Sequence, residues 1–297
     1  MFFPRSHDIG YIGCASPAGR RTRDERMVEY LFNAAVKGVI EGFTEFIPIS
    51  STAHLILVNQ WFPLTGDVAQ QKALDQMFNI VIQFPAILAI FILFRQRLWA
   101  SIRDVPARPE ARNFWIGLII AFIPAAILGK LFKDSIEAEL QFALPIAIAL
   151  IVGGLVLIVV ESAIRTSKVE SAEGVPFRTA LLIGFFQCVA MIPGVSRSGA
   201  TIVGARLLGL SRPAAAEFSF FLALPTMFAA FLYKGYKDFH TIDWQQHWPV
   251  IAVGCVTSFV TAWAVVAVFM RLINWKHSLT MWGVYRVALG GIILLTL

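Results

Sequence analysis

The sequence predicts an all-α integral membrane protein: six transmembrane helices plus two re-entrant helical hairpins, arranged as an inverted-topology repeat. Three observations predict it. The chain is 57% hydrophobic and only 15% charged, against roughly 25% charged in an ordinary soluble domain, so a bilayer is its natural solvent. Six apolar runs are long enough to cross about 30 Å of hydrocarbon as helices. Two further apolar runs are broken by prolines, serines and charges, and the two resemble each other.

Residues 1–26 differ from the remainder of the chain. They carry Arg5, Arg20, Arg21, Arg23 and Arg26 and lack the apolar core of a signal peptide. They read as a disordered basic extension, with Met27 as the true start and 27–297 as one domain. The first broken run, Val36 to Trp61, is interrupted by Glu41, Glu45, Pro48, Ser50, Ser51, Thr52 and His54. Spans come after it near 77–94, 113–131 and 143–161. The second broken run, Arg178 to Leu210, contains Pro193-Gly194-Val195-Ser196-Arg197-Ser198-Gly199. Its own spans lie near 214–233, 248–270 and 281–297. Broken backbone survives at membrane depth only inside protein or beside a water-filled cavity, which makes both runs re-entrant hairpins.

The halves, about 31–161 and 178–297, repeat an order of features. Gly184 to Gln187 stands 146 residues after Gly38 to Glu41, and Ser196 to Ser198 stands the same interval after Ser50 to Thr52. One hairpin and three crossings per half place the second copy upside down, so that the breaks meet near the midplane. Loop charges orient the scheme. Twelve lysines and arginines, among them Arg95, Arg97, Arg165, Arg206 and Arg212, fall on one face and five lysines on the other. The positive-inside rule makes the first face cytoplasmic. The hairpin with Glu41 then opens outside, where five N-terminal arginines are unwelcome; hence Met27 as the start. The net charge of +6 reflects topology and does not indicate nucleic acid. Cys14, Cys188 and Cys255 have no metal or disulfide spacing.

The chemistry sits in the breaks. Glu41 and Glu45, one helical turn apart, need a proton or a cation between them. A divalent metal held by both carboxylates and a substrate phosphate suits them; the bland alternative is a surface helix with solvated glutamates. Ser50 and Ser51 with His54 offer a helix cap or a nucleophile–base pair. In the second break, Gly194 and Gly199 let backbone N–H groups approach an anion, and Arg197 supplies a fork matched to phosphate. Ser196, Ser198 and Thr201 add donors. The partner of Arg197 is either a phosphate or one of the two glutamates. Glu217 and Gln83 read as a matched pair bracing the hairpins. Arg286, inside the last apolar run, needs a partner such as Glu217 or Glu161.

Glu41-Gly-Phe-Thr-Glu45-Phe-Ile-Pro-Ile-Ser50-Ser51-Thr-Ala-His54 and Pro193-Gly-Val-Ser196-Arg197-Ser-Gly-Ala-Thr201 resemble the motifs of the undecaprenyl-diphosphatase, or bacitracin-resistance, family. The resemblance runs from about Met27 to the C-terminus; Ala53 stands where the family pattern has Gly. It implies hydrolysis of undecaprenyl diphosphate to the monophosphate carrier and phosphate, for peptidoglycan synthesis, and bacitracin resistance. It also implies a divalent metal (Mg2+ or Ca2+) and a bacterial inner-membrane enzyme with a periplasmic active site. With both readings combined, Glu41 and Glu45 bind the metal or position the attacking group, with Ser51 the nucleophile ahead of Ser50, and His54 the base or acid. Arg197, Ser196 and Thr201 clamp the diphosphate. A lipid transporter is the competing class, and the oligomeric state, a homodimer included, stays open.

Overall fold

The computed structural model describes residues 22–59, 61–140, 142–238, 243–275 and 277–297, and among them the regular structure is helical. Helix α1 (Arg23–Thr44) starts with a capping box: Thr22 accepts the Glu25 N–H at 3.2 Å, and Glu25 Oε2 accepts the Thr22 N–H at 2.7 Å. Thr22 is thus the N-cap of α1, and Arg23 to Arg26 form its first turn; residues 1–21 lie outside the described residues. After a break comes α2 (Ser51–Val58), then α3 (Val68–Leu93), α4 (Arg95–Asp104), α5 (Pro109–Leu140) and α6 (Ala143–Ala163). The second half runs α7 (Phe177–Val189), a break, α8 (Arg197–Leu207), α9 (Arg212–Asp238), α10 (Trp244–Leu272) and α11 (Ser278–Thr296).

Helices α3, α5, α6, α9, α10 and α11 are the six long and apolar enough to cross a membrane, and they coincide with the six apolar runs. Their outward faces carry apolar side chains, such as Ile119, Ile127, Val152, Val159, Val256 and Val260, that water would not tolerate in such number. Hydropathy does not disclose α4. With Arg95, Arg97 and Arg103 among ten residues it has no long apolar run, yet Leu98 is buried and anchors it.

Packing pairs helices of one half with helices of the other. Helix α1 lies on α10 and α7 on α5; α3 also contacts α10, and α9 contacts α5; α3 packs on α9 and α6 on α11. The pairing of α1 with α10 in one direction thus parallels that of α7 with α5 in the other. Glycines at matched positions allow the closest approaches. A Cβ on Gly38 would lie 2.5 Å from the Gly254 carbonyl, and one on Gly184 would lie 2.3 Å from the Ala121 carbonyl. Helix α9 is the most enclosed span, with Phe218, Phe220, Phe221 and Leu222 at the centre of the largest apolar cluster.

One feature breaks the repeat. Lys37 of α1, fully buried, donates to Asp75 Oδ1 at 2.6 Å, and Gln71 donates to Asp75 Oδ2 at 2.8 Å. The Gln71 side-chain oxygen in turn accepts the N–H groups of Leu64 and Thr65 at 3.2 and 3.1 Å, which fixes the α2–α3 loop over α1. Removing one member of a buried ion pair leaves the other uncompensated, at a cost of about 3–5 kcal/mol. Lys37→Met is expected to lower the melting temperature sharply in detergent, and Lys37→Met with Asp75→Leu to recover much of it. Equal losses in both variants would contradict a pair that matters through its charges.

Candidate active site

The two helix breaks touch, and one residue joins them. Arg286 of α11, 1% exposed, gives its whole guanidinium to backbone carbonyls. Nη1 donates to Pro48 (3.1 Å) and Val195 (2.9 Å), Nη2 to Gly194 (2.9 Å) and Ala149 (3.0 Å), and Nε to Leu150 (3.3 Å). Pro48 belongs to the first break, Gly194 and Val195 to the second, and Ala149 and Leu150 to α6. The carbonyls of the breaks cannot bond within a helix, and hydrocarbon would not satisfy them. The expected carboxylate partners of Arg286 are engaged elsewhere. Glu217 bonds Arg97 at 2.5 Å, with Arg97 also on Glu173 at 3.1 Å, and Glu161 pairs with Arg212. Glu217 thus ties α9 to α4 and does not brace the hairpins.

Each break ends in a serine with positive φ. Ser50 has φ 72° and Ser196 φ 75°, and they are the non-glycine residues in that region among those described. Each caps the helix after it: Ser50 Oγ accepts the Ala53 N–H (3.4 Å) and Ser196 Oγ the Gly199 N–H (3.1 Å). The matched positions carry the same unusual backbone, about 1–3 kcal/mol of strain each, held by the surrounding bonds. Ser196 leaves the first-turn N–H groups of Arg197 and Ser198 without an intrahelical acceptor, the ordinary makings of an anion site.

At the contact between the breaks, three side chains form a chain. Ser51 Oγ donates to Glu45 Oε2 at 2.5 Å, and Arg197 Nη2 donates to Glu45 Oε1 at 3.0 Å. The guanidinium of Arg197 also donates to the Ser219 carbonyl (3.0 Å), reaches Met227 Sδ (3.2 Å) and lies over the Phe46 ring at 5.7 Å. Of the two glutamates read as partners for Arg197, Glu45 is the one it bonds. Glu45 is 9% exposed and Glu41 fully buried, so neither is a solvated surface glutamate. Both carboxylate oxygens of Glu41 lack a hydrogen-bond partner, although Glu45 and Arg197 are close enough to act on it electrostatically.

The remaining residues divide by task. Ser198, fully buried, donates toward the carbonyls of Ile47 (3.1 Å) and Glu45 (3.3 Å) and also meets Ser196 Oγ (3.1 Å). Thr201 bonds Ser219 Oγ at 2.6 Å and the Arg197 carbonyl at 2.9 Å. Both brace the breaks here. Gly194, at φ 94°, turns its carbonyl to Arg286, and a Cβ on Gly199 would sit 3.0 Å from Arg286 Nη1. His54 does not bond either serine hydroxyl. Its Nδ1 faces the Ser50 carbonyl at 2.7 Å and must carry the proton there, so Nε2 accepts from the Tyr285 hydroxyl, also at 2.7 Å. The rings of His54 and Tyr285 lie nearly parallel, with centroids 5.8 Å apart. The side chain that Ser51 meets is thus Glu45, and that of His54 is Tyr285. Tyr285, Ser219 and Phe46 were missed; Tyr285 adjoins Arg286, and that adjacency was the available signal.

A divalent cation fits this donor set only as one shared with a substrate. Glu41 offers two unpartnered oxygens, whereas both Glu45 oxygens are already in use. Among the described residues no three acidic, histidine or cysteine side chains gather into a protein-only cage. Lysine has too few donors, in the wrong geometry, to replace the five bonds of Arg286. Arg286→Lys is expected to lower activity at least ~100-fold, as loss of a preorganising donor does, and to lower the melting temperature. A variant with wild-type rate would contradict the clamp.

Known proteins resemble this chain over most of its length. The family model described as "Bacitracin resistance protein BacA" matches residues 34–292. An undecaprenyl-diphosphatase of Pseudomonas paraeruginosa is 45% identical over 265 residues, covering 89% of this chain and 93% of the relative. That of Azotobacter vinelandii is 45% identical over 263 residues, 89% and 92%. One from Thermoanaerobacter sp. is 43% identical over 272 residues, 90% of this chain and 97% of its own. With the match spanning both breaks and all six long apolar helices, the chain belongs to the bacitracin resistance protein BacA family.

Proposed function

We propose that the protein hydrolyses undecaprenyl diphosphate to undecaprenyl phosphate and phosphate, recycling a lipid carrier for cell-wall synthesis and conferring bacitracin resistance. The observation that carries this reading is the Ser51–Glu45–Arg197 chain, which joins a nucleophile, a base and a phosphate-matched cation across the two breaks. A carrier needs no hydroxyl bonded to a buried carboxylate; phosphoryl transfer through a covalent intermediate uses such a pair as nucleophile and base. The curated relatives bear the name of this activity.

In this reading Ser51 Oγ attacks the terminal phosphorus while its proton passes to Glu45 Oε2. The bond from that phosphorus to the bridging oxygen breaks, and the prenyl phosphate leaves. Glu45 passes that proton to the departing prenyl phosphate. Water then attacks the phosphoseryl phosphorus, one water proton leaving with the phosphate and the other restoring the Ser51 hydroxyl. Arg197 turns part of its fork from Glu45 to the phosphoryl oxygens, where charge spreads in the transition state. The first-turn N–H groups of α8 and the Ser196 hydroxyl contribute there as well. Glu41, with Glu45 and the diphosphate, would hold a divalent cation (Mg2+ or Ca2+), which supplies neutralisation of phosphate charge. His54 holds the Ser50 carbonyl, and with it the turn that aims Ser51.

The repeated order of elements, the matched serines and the exchanged helix pairings support an inverted repeat with two re-entrant hairpins. The excess of basic residues on the other face supports an active site open to the periplasm, in a bacterial inner membrane. The prenyl tail lies along lipid-facing spans.

The test is phosphate release from a long-chain prenyl diphosphate by detergent-purified protein, with and without EDTA. Arg197→Ala is expected to lose ~10^2–10^3-fold, and Glu45→Gln ~10^2–10^4-fold. Wild-type protein that binds the lipid diphosphate yet releases no phosphate would sink the assignment. Within the same assay, His54→Ala is expected to lose less than Glu45→Gln, and Tyr285→Phe less again. The reverse order would restore histidine as the base for Ser51.

A further inference from the structure

Away from the two breaks, the structure holds a polar cavity of about 130 Å3, lined among others by Arg165, Ser167, Arg206, Ser211, Arg212 and Asn274. One water needs only ~10–15 Å3 of such space, so the cavity admits a larger guest. Two stretches of chain build most of it, one after α6 and one from the end of α8 to the start of α9, and Asn274 after α10 completes it. Backbone bonds clasp them together. The N–H groups of Lys168 and Val169 donate to the Gly209 carbonyl at 2.8 and 3.1 Å, and Ser211 donates to the Val169 carbonyl at 2.9 Å. Arg206, 3% exposed, spans both walls, with Nη1 on the Leu210 carbonyl at 2.5 Å and Nη2 on the Ile164 carbonyl at 2.9 Å. Its Nε has no hydrogen-bond partner. A buried guanidinium here is bonded only to neutral groups.

The local charge balance leaves an excess. Arg212 pairs with Glu161. Glu170, nearby, accepts the hydroxyls of Ser167 and Ser211. Against those two carboxylates stand three guanidiniums, and Arg165, exposed at the rim, has no ion pair among the described residues. The 27-residue α9 brings the positive end of its dipole to the same cavity, and α6, α8 and α10 bring negative C-terminal ends, whose carbonyls Arg206 helps to satisfy. Like charges converging on a rigid cavity, with serine hydroxyls and an asparagine amide beside them, are best relieved by a bound anion. Arginine forks match the oxygens of a phosphate.

We infer that this cavity binds a phosphate oxyanion, presented either as the headgroup of an anionic phospholipid or as free phosphate. It sits among the ends of α6, α8, α9 and α10, where bilayer headgroups lie if these helices span the membrane. It is separate from the proposed reaction and does not depend on it.

The experiment uses the full chain in detergent, stripped of lipid. In one arm, dioleoyl phosphatidylglycerol is added and its retention read by native mass spectrometry. In the other, sodium phosphate is compared with sodium chloride at equal ionic strength, and the melting temperature read. Arg165→Gln, an exposed change that should fold, is compared with wild type and with Arg112→Gln, an exposed arginine outside the cavity. Arg165→Gln is expected to weaken lipid retention about fivefold, the effect of one basic residue at an anionic surface, or to abolish a phosphate-dependent rise in melting temperature. The first result assigns a lipid headgroup and the second free phosphate. If Arg165→Gln matches wild type in both arms, or if Arg112→Gln loses as much, the inference is overturned.

Discussion

The guanidinium of Arg286 is the interaction on which the remaining arrangement depends. Two apolar segments that stop being helical would leave carbonyls unpaired in a medium without water, at several kcal/mol each. Arg286 answers that from a neighbouring span, taking three carbonyls of the breaks and two of α6 at 2.9–3.3 Å. The same bonds disperse the charge of an arginine that has no carboxylate in contact. Hydrogen bonds to a charged group contribute about 1.5–3 kcal/mol each, so the clamp offsets the strain of two serines at positive φ. It also sets the distance between the breaks, and hence what a substrate phosphate meets.

Across that junction the halves contribute different chemistry from the same backbone. Ser50 and Ser196 cap their helices alike, yet the residue after Ser50 is a serine and the residue after Ser196 an arginine. The position of Glu41 in the first half is held by Gln187 in the second, whose side-chain oxygen accepts from Thr226. One half therefore supplies hydroxyl and carboxylates, and the other supplies the cation. Two similar helix starts with different side chains yield a site that neither half contains alone.

Much of this was legible in the residues. Hydropathy located the six spans because length and apolarity are what a bilayer demands. The breaks were legible because Pro48 and Pro193-Gly194 cannot continue an apolar helix quietly. Glu45 and Arg197 stood out as charges at depth. The partners of those charges were not legible. Arg286 was assigned carboxylates because charge pairing is what sequence suggests, whereas backbone carbonyls are invisible until the breaks are placed in space. The serine–histidine pairing came from spacing along one helix. The rotamer that turns His54 to Tyr285, 231 residues away, depends on how α11 packs on α6. Helix α4 and the start of α1 were hidden by their polarity.

The measurement that tests the composite site most directly is a double-mutant cycle on phosphate release, with Glu45→Gln, Arg197→Gln and both together. Residues that act as one unit are strongly non-additive. A shared centre predicts that the double variant is about as slow as the slower single one. Losses that multiply, as for independent sites, would contradict an active centre shared between the two breaks.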